Sequence, residues 1–250
     1  MGMLGPPFNP TGVSSSAGGP TGQFSAPPWD ITEIIGRFQN ASNATFLAKT
    51  DLGQRVVYKP ERGQRQLYDF DCQTLPAREI LTFEVARAAG LDCVPETLPV
   101  EGPFGPGSGQ LFIEEDEEFD PAPLINEADP RLWRIVTLDL IINNADRKAG
   151  HLIADQTGKI WCIDHGLTLH ARPKLRTVMW SFSGKALPAP MVESLRSLQE
   201  GLRSHLYDRA AQLLSREEAD ALTERVEMII ERPVHPLPPH DRPPLPWPLW

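Results

Sequence analysis

Cysteine is scarce in this chain: Cys72, Cys93 and Cys162 are the three in 250 residues, and no two of them have paired spacing. Isolated and odd in number, they predict reduced thiols rather than a disulfide framework, and a cytoplasmic location. Long apolar runs are also lacking. No stretch approaches the ~20 apolar residues that cross a bilayer, so no transmembrane segment is expected. No charged side chain precedes Asp30 and no apolar run occupies that region, so a secretory leader is not expected either. Positive charge is outnumbered, with 24 Lys and Arg against 33 Asp and Glu and a formal net charge of −9. That balance argues against nucleic acid as the main partner, because neutralising phosphates takes clustered cations. The phosphate-binding motif Gly-x-x-x-x-Gly-Lys-Ser/Thr is absent. Gly105-Pro106-Gly107-Ser108-Gly109 is rich in glycine but contains proline and leads into a strand, the wrong context for dinucleotide binding.

The apolar content, 40%, supplies a real core for one large domain or two small ones. Residues 1–28 hold six Gly, six Pro and four Ser, and predict a disordered tail. Residues 233–250 hold eight prolines and predict an extended, polyproline-like tail. That tail is either a spacer or a segment that docks on a partner.

Between the tails the hydrophobic period changes. Residues around 34–35, 45–48 and 56–58 read as short strands, 76–89 as a helix closed by Gly90, and 111–113 as another strand. The acidic run Glu114-Glu115-Asp116-Glu117-Glu118 reads as a solvated linker, with metal binding as the lesser alternative. From Asp129, a cap followed by Pro130, the chain turns helical. A strand pair near 152–163 and helices over 191–214 and from Ser215 follow, the last opened by the capping box Ser215-Arg216-Glu217-Glu218. The expected architecture is α+β and two-lobed: a strand-rich lobe over 29–113, an acidic linker and a helical lobe over 114–232, and a cleft between the lobes.

Chemistry concentrates in two places. In Asn144-Ala145-Asp146-Arg147-Lys148-Ala149-Gly150-His151 a polar loop precedes a hairpin whose far strand ends in Ile163-Asp164-His165-Gly166. With the turn centred between Gln156 and Thr157, paired positions sum to 313 and Asp164 returns beside Asp146 and His151. Clustered carboxylates repel unless a cation compensates, and Mg²⁺ shared with substrate phosphates fits such a pair. An acidic, solvated turn with structural hydrogen bonds is the plain alternative. In the other place, Lys59 ends an apolar strand. It points inward with Val57 if Val57 is buried, and then needs a partner, for which Glu79 is the candidate and Glu84 the fallback; otherwise Lys59 reaches solvent. The turn around Ser42 and Asn43 either covers phosphates with backbone N–H groups or is a simple hairpin loop.

Together these residues resemble the catalytic domain of phosphatidylinositol 3-/4-kinases, and most nearly the type II phosphatidylinositol 4-kinases and their bacterial relatives. The resemblance spans about residues 34–187, with the motifs in order: Val57-Tyr58-Lys59-Pro60, Glu79, Gly109-Gln110-Leu111-Phe112-Ile113-Glu114, Asn144-Ala145-Asp146-Arg147 and Ile163-Asp164-His165-Gly166. It implies a protein-kinase-like bilobal fold and an ATP- and Mg²⁺-dependent phosphotransferase. Lys59 is then assigned to the nucleotide phosphates, together with Ser42 and Asn43 of the turn, and Glu79 to holding Lys59. Phe112 and Ile113 become a hinge against adenine, Asp146 the group that orients or deprotonates the attacking hydroxyl, and Asp164 a metal ligand.

Three departures stand out. His151 occupies the position of the usual metal-binding asparagine, which shifts preference toward Mn²⁺. The cysteine cluster by which type II enzymes are lipid-anchored is missing after Lys59, and the nucleotide turn has no glycine. The acceptor is left open among protein, small molecule and lipid, and the chain is expected to be monomeric. A nucleotide-binding pseudokinase with a regulatory role is the rival reading, and nucleotidyl transfer is a third. The basic–aromatic stretch His170 to Trp180 is the candidate substrate-facing loop, although Trp180 and Phe182 also suit a core.

Overall fold

The computed structural model describes residues 29–250 except Asn40 and Ser42. The expected tail over 1–28 and the Ser42 assignment therefore lie outside the described residues. The described residues form two compact units: 29–80 with Glu96–Phe112, and Leu81–Pro95 with Ile113–Trp250.

In the first unit, β1 (Trp29–Arg37), β2 (Phe46–Thr50), β3 (Arg55–Pro60), β4 (Thr97–Glu101) and β5 (Gly107–Leu111) form a closed barrel in the order β1-β2-β3-β5-β4. The neighbours pair antiparallel, except that β1 closes on β4 in parallel at Trp29↔Val100 and Asp30↔Glu101. Closure removes the exposed edges a small sheet would otherwise present. Trp29, Ile31, Phe46, Ala48, Val56, Tyr58 and Val100 fill the interior. Strand β5 can lie this close only because Gly109 has no side chain: a Cβ there would stand 2.6 Å from Val100 Cγ1. Strand β4 was not expected, since Pro99 breaks its pattern; it follows Leu91 to Pro95, a stretch that offers no period of its own.

Helix α1 (Leu75–Ala88) crosses from the first unit into the second. Gly90 follows at φ +66°, the left-handed conformation anticipated for the cap. The expected lobe boundary near residue 113 needs amendment for Leu81–Pro95. Leu81, Val85, Ala89, Leu91, Cys93 and Val94 belong to the larger, second core, so this stretch is part of the second unit.

The second unit continues with α2 (Ala122–Glu127), α3 (Trp133–Ile141), the two-stranded hairpin β6 (Leu152–Ala154) and β7 (Ile160–Cys162), α4 (Ala189–Gly201), α5 (Tyr207–Leu213) and α6 (Arg216–Glu231). Asp129 caps the turn before α3, its carboxylate accepting from the Arg131 amide at 2.8 Å. Ser215 caps α6 with Oγ accepting from the Glu218 amide at 3.2 Å. The helix expected over 191–214 is interrupted by a π-helical turn, Leu202–Leu206, between α4 and α5. The acidic run is not wholly a solvated linker, because the Asp116 amide donates to the Ala154 carbonyl at 2.8 Å.

Residues 233–250, expected to stand open as an extended tail, instead lie along this unit. The Leu187 amide donates to the Pro233 carbonyl at 2.8 Å, and His235 exchanges backbone bonds with Gly184 and Lys185 at 3.0 Å each. Further on, the amides of Thr177 and Ala149 donate to the Pro244 and Leu249 carbonyls at 3.1 and 2.9 Å. A proline-rich strip has carbonyls and few N–H groups, so it meets unsatisfied donors without needing its own partners.

Candidate active site

In the first unit the alternation of β3 divides its side chains. Val56 and Tyr58 are wholly buried in the barrel, whereas Val57 and Lys59 lie half-buried on the other face. Lys59 therefore does not enter the barrel core with a buried Val57. It forms an ion pair with Glu79 of α1, whose side chain is only 3% exposed against 19% for Lys59. Such a buried carboxylate has to be matched by a cation. Glu84, the fallback, pairs instead with Arg209 at 3.1 Å within the second unit.

Asn43 is used locally: its Oδ1 accepts from the Arg65 amide at 2.8 Å. Strand β5 stops at Leu111, earlier than expected, and the Phe112 amide donates to the Arg55 carbonyl at 3.0 Å. The Arg55 guanidinium lies 5.1 Å from the Phe112 ring centroid. Ile113 begins the second unit's long segment and is half-buried.

In the second unit the β6–β7 hairpin pairs Leu152↔Cys162, Ile153↔Trp161 and Ala154↔Ile160, so paired positions sum to 314, not 313. The turn is one residue longer than a symmetric reading gives. Asp155 shapes it, its Oδ1 accepting from the Thr157 and Lys159 amides at 2.8 and 3.2 Å and its Oδ2 from Trp161 Nε1 at 2.9 Å. The Thr157 hydroxyl and the Trp161 indole, with these amides, hold the Asp155 carboxyl down to about 2. Asp164 is still returned to the loop, because the Ile163 amide donates to the His151 carbonyl at 3.0 Å.

His151 Nε2 lies 3.4 Å from Asp164 Oδ2. Asp164 sits at φ +61°, a left-handed conformation that aspartate tolerates better than most side chains, and its side chain remains half exposed. Asp146 Oδ2 lies 3.1 Å from Lys148 Nζ. Burial raises the Asp146 carboxyl above its ordinary value; Lys148 opposes that rise and the nearby Asp164 charge adds to it.

Beneath this surface Arg147 is wholly buried against Asp139 of α3 and also donates to the Ile163 carbonyl at 3.0 Å. Its Nη2 lies 3.0 Å from His165 Nε2. Asn144 completes the frame, with Nδ2 donating to Asp139 Oδ1 and Oδ1 accepting from the Asp146 amide, both at 2.9 Å. The loop is thus held from inside while Asp146, His151 and Asp164 stay at its accessible side.

The sequence offers Arg147 beside Asp146 as a maker of structural hydrogen bonds, which it is, and places Asp139 in the run before the loop, but it names neither Asp139 as the partner of Arg147 nor Lys148 as the partner of Asp146. Lys148 had a signal: in extended chain, residues two apart share a face, so a cation at 148 is available to Asp146. Asp139 had one too, as a carboxylate inside the apolar run Leu138 to Ile142, where only a buried cation can match it.

The donor set suits a magnesium–nucleotide complex. Among the described residues no group of three or more His, Cys, Asp or Glu forms a metal cage. Mg²⁺ commonly binds through one or two carboxylates and completes its shell with phosphate oxygens and water, for which a half-exposed Asp164 near Asp146 is an appropriate pair.

No family model matches the chain. A crystal structure of the Helicobacter pylori proinflammatory kinase CtkA covers 82% of this chain and 94% of its own at TM-score 0.54, with 12% identity. The crystal structure of the Golgi casein kinase with Mn/ADP bound covers 84% of this chain and 73% of its own at TM-score 0.49, with 13% identity. The fold is therefore kinase-like, α+β in content. Protein Rv2133c of Mycobacterium tuberculosis (strain ATCC 25618 / H37Rv) is 34% identical over 255 residues, 87% of this chain and 91% of its own length, and the chain belongs to the same family as that protein.

Proposed function

We propose that this protein is an ATP- and Mg²⁺-dependent phosphotransferase acting on a hydroxyl acceptor, with motifs of the phosphatidylinositol 3-/4-kinase type. The observation that carries the reading is the pair Asp146 and Asp164 at one loop, the first half-buried beside Lys148 and the second held at φ +61° with its carboxylate half exposed. In this reading Lys59, fixed by Glu79, neutralises nucleotide phosphates, and Asp164 holds the metal with His151 beside it. Mg²⁺, when bound, supplies charge neutralisation on the phosphates. Asp146 accepts the acceptor's hydroxyl proton as the oxygen attacks the γ-phosphorus and the bond to the β-phosphate oxygen breaks, releasing ADP. Lys148 steadies the Asp146 carboxylate and then the transferred phosphoryl charge.

Binding calorimetry with Mg-ATP and with adenosine tests the assignment of Asp164. Asp164→Ala should weaken Mg-ATP binding and leave adenosine nearly unchanged; equal loss of both, or loss of neither, contradicts it.

The second reading, a nucleotide-binding pseudokinase, is favoured by one observation: His151 stands where an amide ligand is usual and turns its Nε2 toward Asp164. It predicts nucleotide binding with no turnover on any acceptor.

A further inference from the structure

The catalytic loop and the segment after Asp164 form one continuous backbone surface. The Ala145 amide donates to the Leu167 carbonyl at 2.9 Å and the Arg176 amide to the Asn144 carbonyl at 2.9 Å. Arg147 then bridges in parallel to Thr177, its amide donating to the Arg176 carbonyl at 3.0 Å and its carbonyl accepting from the Val178 amide at 3.1 Å. Asn143 fastens the same segment, Nδ2 donating to the His170 and Arg172 carbonyls at 3.0 and 2.7 Å.

This arrangement uses one edge of residues 176–178. In extended chain, successive amides point to opposite sides, so the Thr177 amide faces away from Arg147. It donates to the Pro244 carbonyl, which also accepts from Trp180 Nε1 at 2.9 Å. Five residues on, the Leu249 carbonyl takes the Ala149 amide, midway between Asp146 and His151, and Trp250 lies against Gly150. The C-terminal strip thus crosses this face with its carbonyls, one meeting Thr177 and one meeting Ala149, without forming a β-bridge to residues 176–178.

The strip has two parts with different holds. Residues 233–235 are an anchor: they pair with 184–187, and His235 is buried with its ring 5.5 Å from that of Trp180. Residues 244–250 are an arm whose side chains are largely in solvent, Trp247 at 88% exposure and Trp250 at 62%. Two backbone carbonyls and one buried side chain, Pro246, hold the arm. Thr168 and Thr177, the hydroxyl residues between Asp164 and Trp180, are both buried, so this segment offers no accessible hydroxyl for a covalent switch.

We infer that the face marked by the Thr177 and Ala149 amides is the acceptor surface, that it takes the backbone carbonyls of an extended polypeptide, and that the C-terminal arm is a built-in ligand competing for it. The acceptor class so named rests on the phosphotransferase reading above; the occupancy of the face by the arm does not.

The test uses the full-length chain with residues 243–250 exchanged for Gly-Ser repeats, the anchor being kept. Three readouts are followed: Thr177 amide exchange, binding of a fluorescein-labelled peptide of residues 237–250, and phosphorylation of a mixed serine/threonine peptide library. Losing the arm should speed Thr177 exchange and tighten peptide binding, each about tenfold, as expected for a few released hydrogen bonds. The KM for library peptides should fall, and the added peptide should inhibit competitively with the library but not with ATP. Trp250→Gly should shift each readout the same way by a smaller factor, and serves if the exchanged chain does not fold. Unchanged Thr177 exchange overturns the inference, and so does a fall in kcat with unchanged library KM, the signature of a strip that only buttresses the loop. Absence of transfer in every chain, wild type included, defeats the phosphotransferase reading instead; exchange and peptide binding then still decide whether the arm is a displaceable ligand.

Discussion

Arg147 and Asp139 meet without water: the guanidinium is 0% and the carboxylate 2% exposed, and Nε and Nη2 reach the carboxylate at 3.0–3.1 Å. Burial works against the arginine charge, and Asp139 outweighs it, keeping the guanidinium pKa above its ordinary value. Breaking such a pair from one side strands the other charge. Asp139→Ala or Arg147→Ala should therefore each cost about 3–5 kcal/mol in urea unfolding, and Asp139→Leu with Arg147→Met clearly less than the sum. Additive losses would mean that the two residues act separately.

The Lys59–Glu79 pair is expected to matter for nucleotide and for folding, because Lys59 lies half-buried on the outer face of β3 while the Glu79 carboxylate is buried. Lys59→Met should lower kcat/KM for ATP by on the order of 10²-fold and, by stranding Glu79, should also lower the thermal midpoint, whereas Lys59→Met with Glu79→Leu should recover part of the stability and none of the ATP kinetics. Glu79→Gln should follow in the same direction with a smaller loss. Unaltered ATP kinetics in Lys59→Met would remove this residue from the site.

Asp146 has its carboxyl raised by burial, and Lys148 holds that rise in check. As a base it must be ionised, so the acid limb of the rate profile should lie above the ordinary carboxylate value of about 4. Lys148→Met removes the lowering influence and should move that limb to higher pH; Lys148→Arg should largely restore it. A limb unmoved by Lys148→Met would show that another group controls the acid side.

His151 against Asp164 should set the metal preference. His151→Asn replaces an imidazole by an amide oxygen, so nucleotide affinity in Mg²⁺ should rise relative to that in Mn²⁺. Identical Mg²⁺ and Mn²⁺ dependence in wild type and variant would place His151 outside the metal's shell, as a hydrogen-bonding loop residue.

Much of this molecule was legible where local chemistry decides the outcome. Ser215 and Asp129 cap where their side chains predict, Gly90 ends α1, and Lys59 finds Glu79 because a half-buried cation on a strand has few places to go. What was not legible depends on tertiary surroundings. Strand β4 is stabilised by the barrel it completes and not by its own pattern around Pro99. The hairpin register depends on how Asp155 gathers amides, which shifts the pairing by one residue from the symmetric reading. The strip over 233–250 has the composition of a tail, and the amides of Leu187, Gly184, Thr177 and Ala149, which no pattern in the strip itself announces, give its carbonyls somewhere to bind. For Arg147 and Asp139, hydrophobic periodicity registers the helix but is silent about which charge meets the lone carboxylate inside it.

The central claim is transfer of the γ-phosphoryl group of ATP, governed by Asp146. The most direct measurement incubates the full-length protein with Mg²⁺ or Mn²⁺ and ATP labelled at either the α- or the γ-phosphate, and follows label on the chain and on a peptide library. The account predicts label from γ only, lost in Asp146→Asn while that variant still binds Mg-ATP. Label arriving from the α-phosphate, or γ-transfer undiminished in Asp146→Asn, would contradict it.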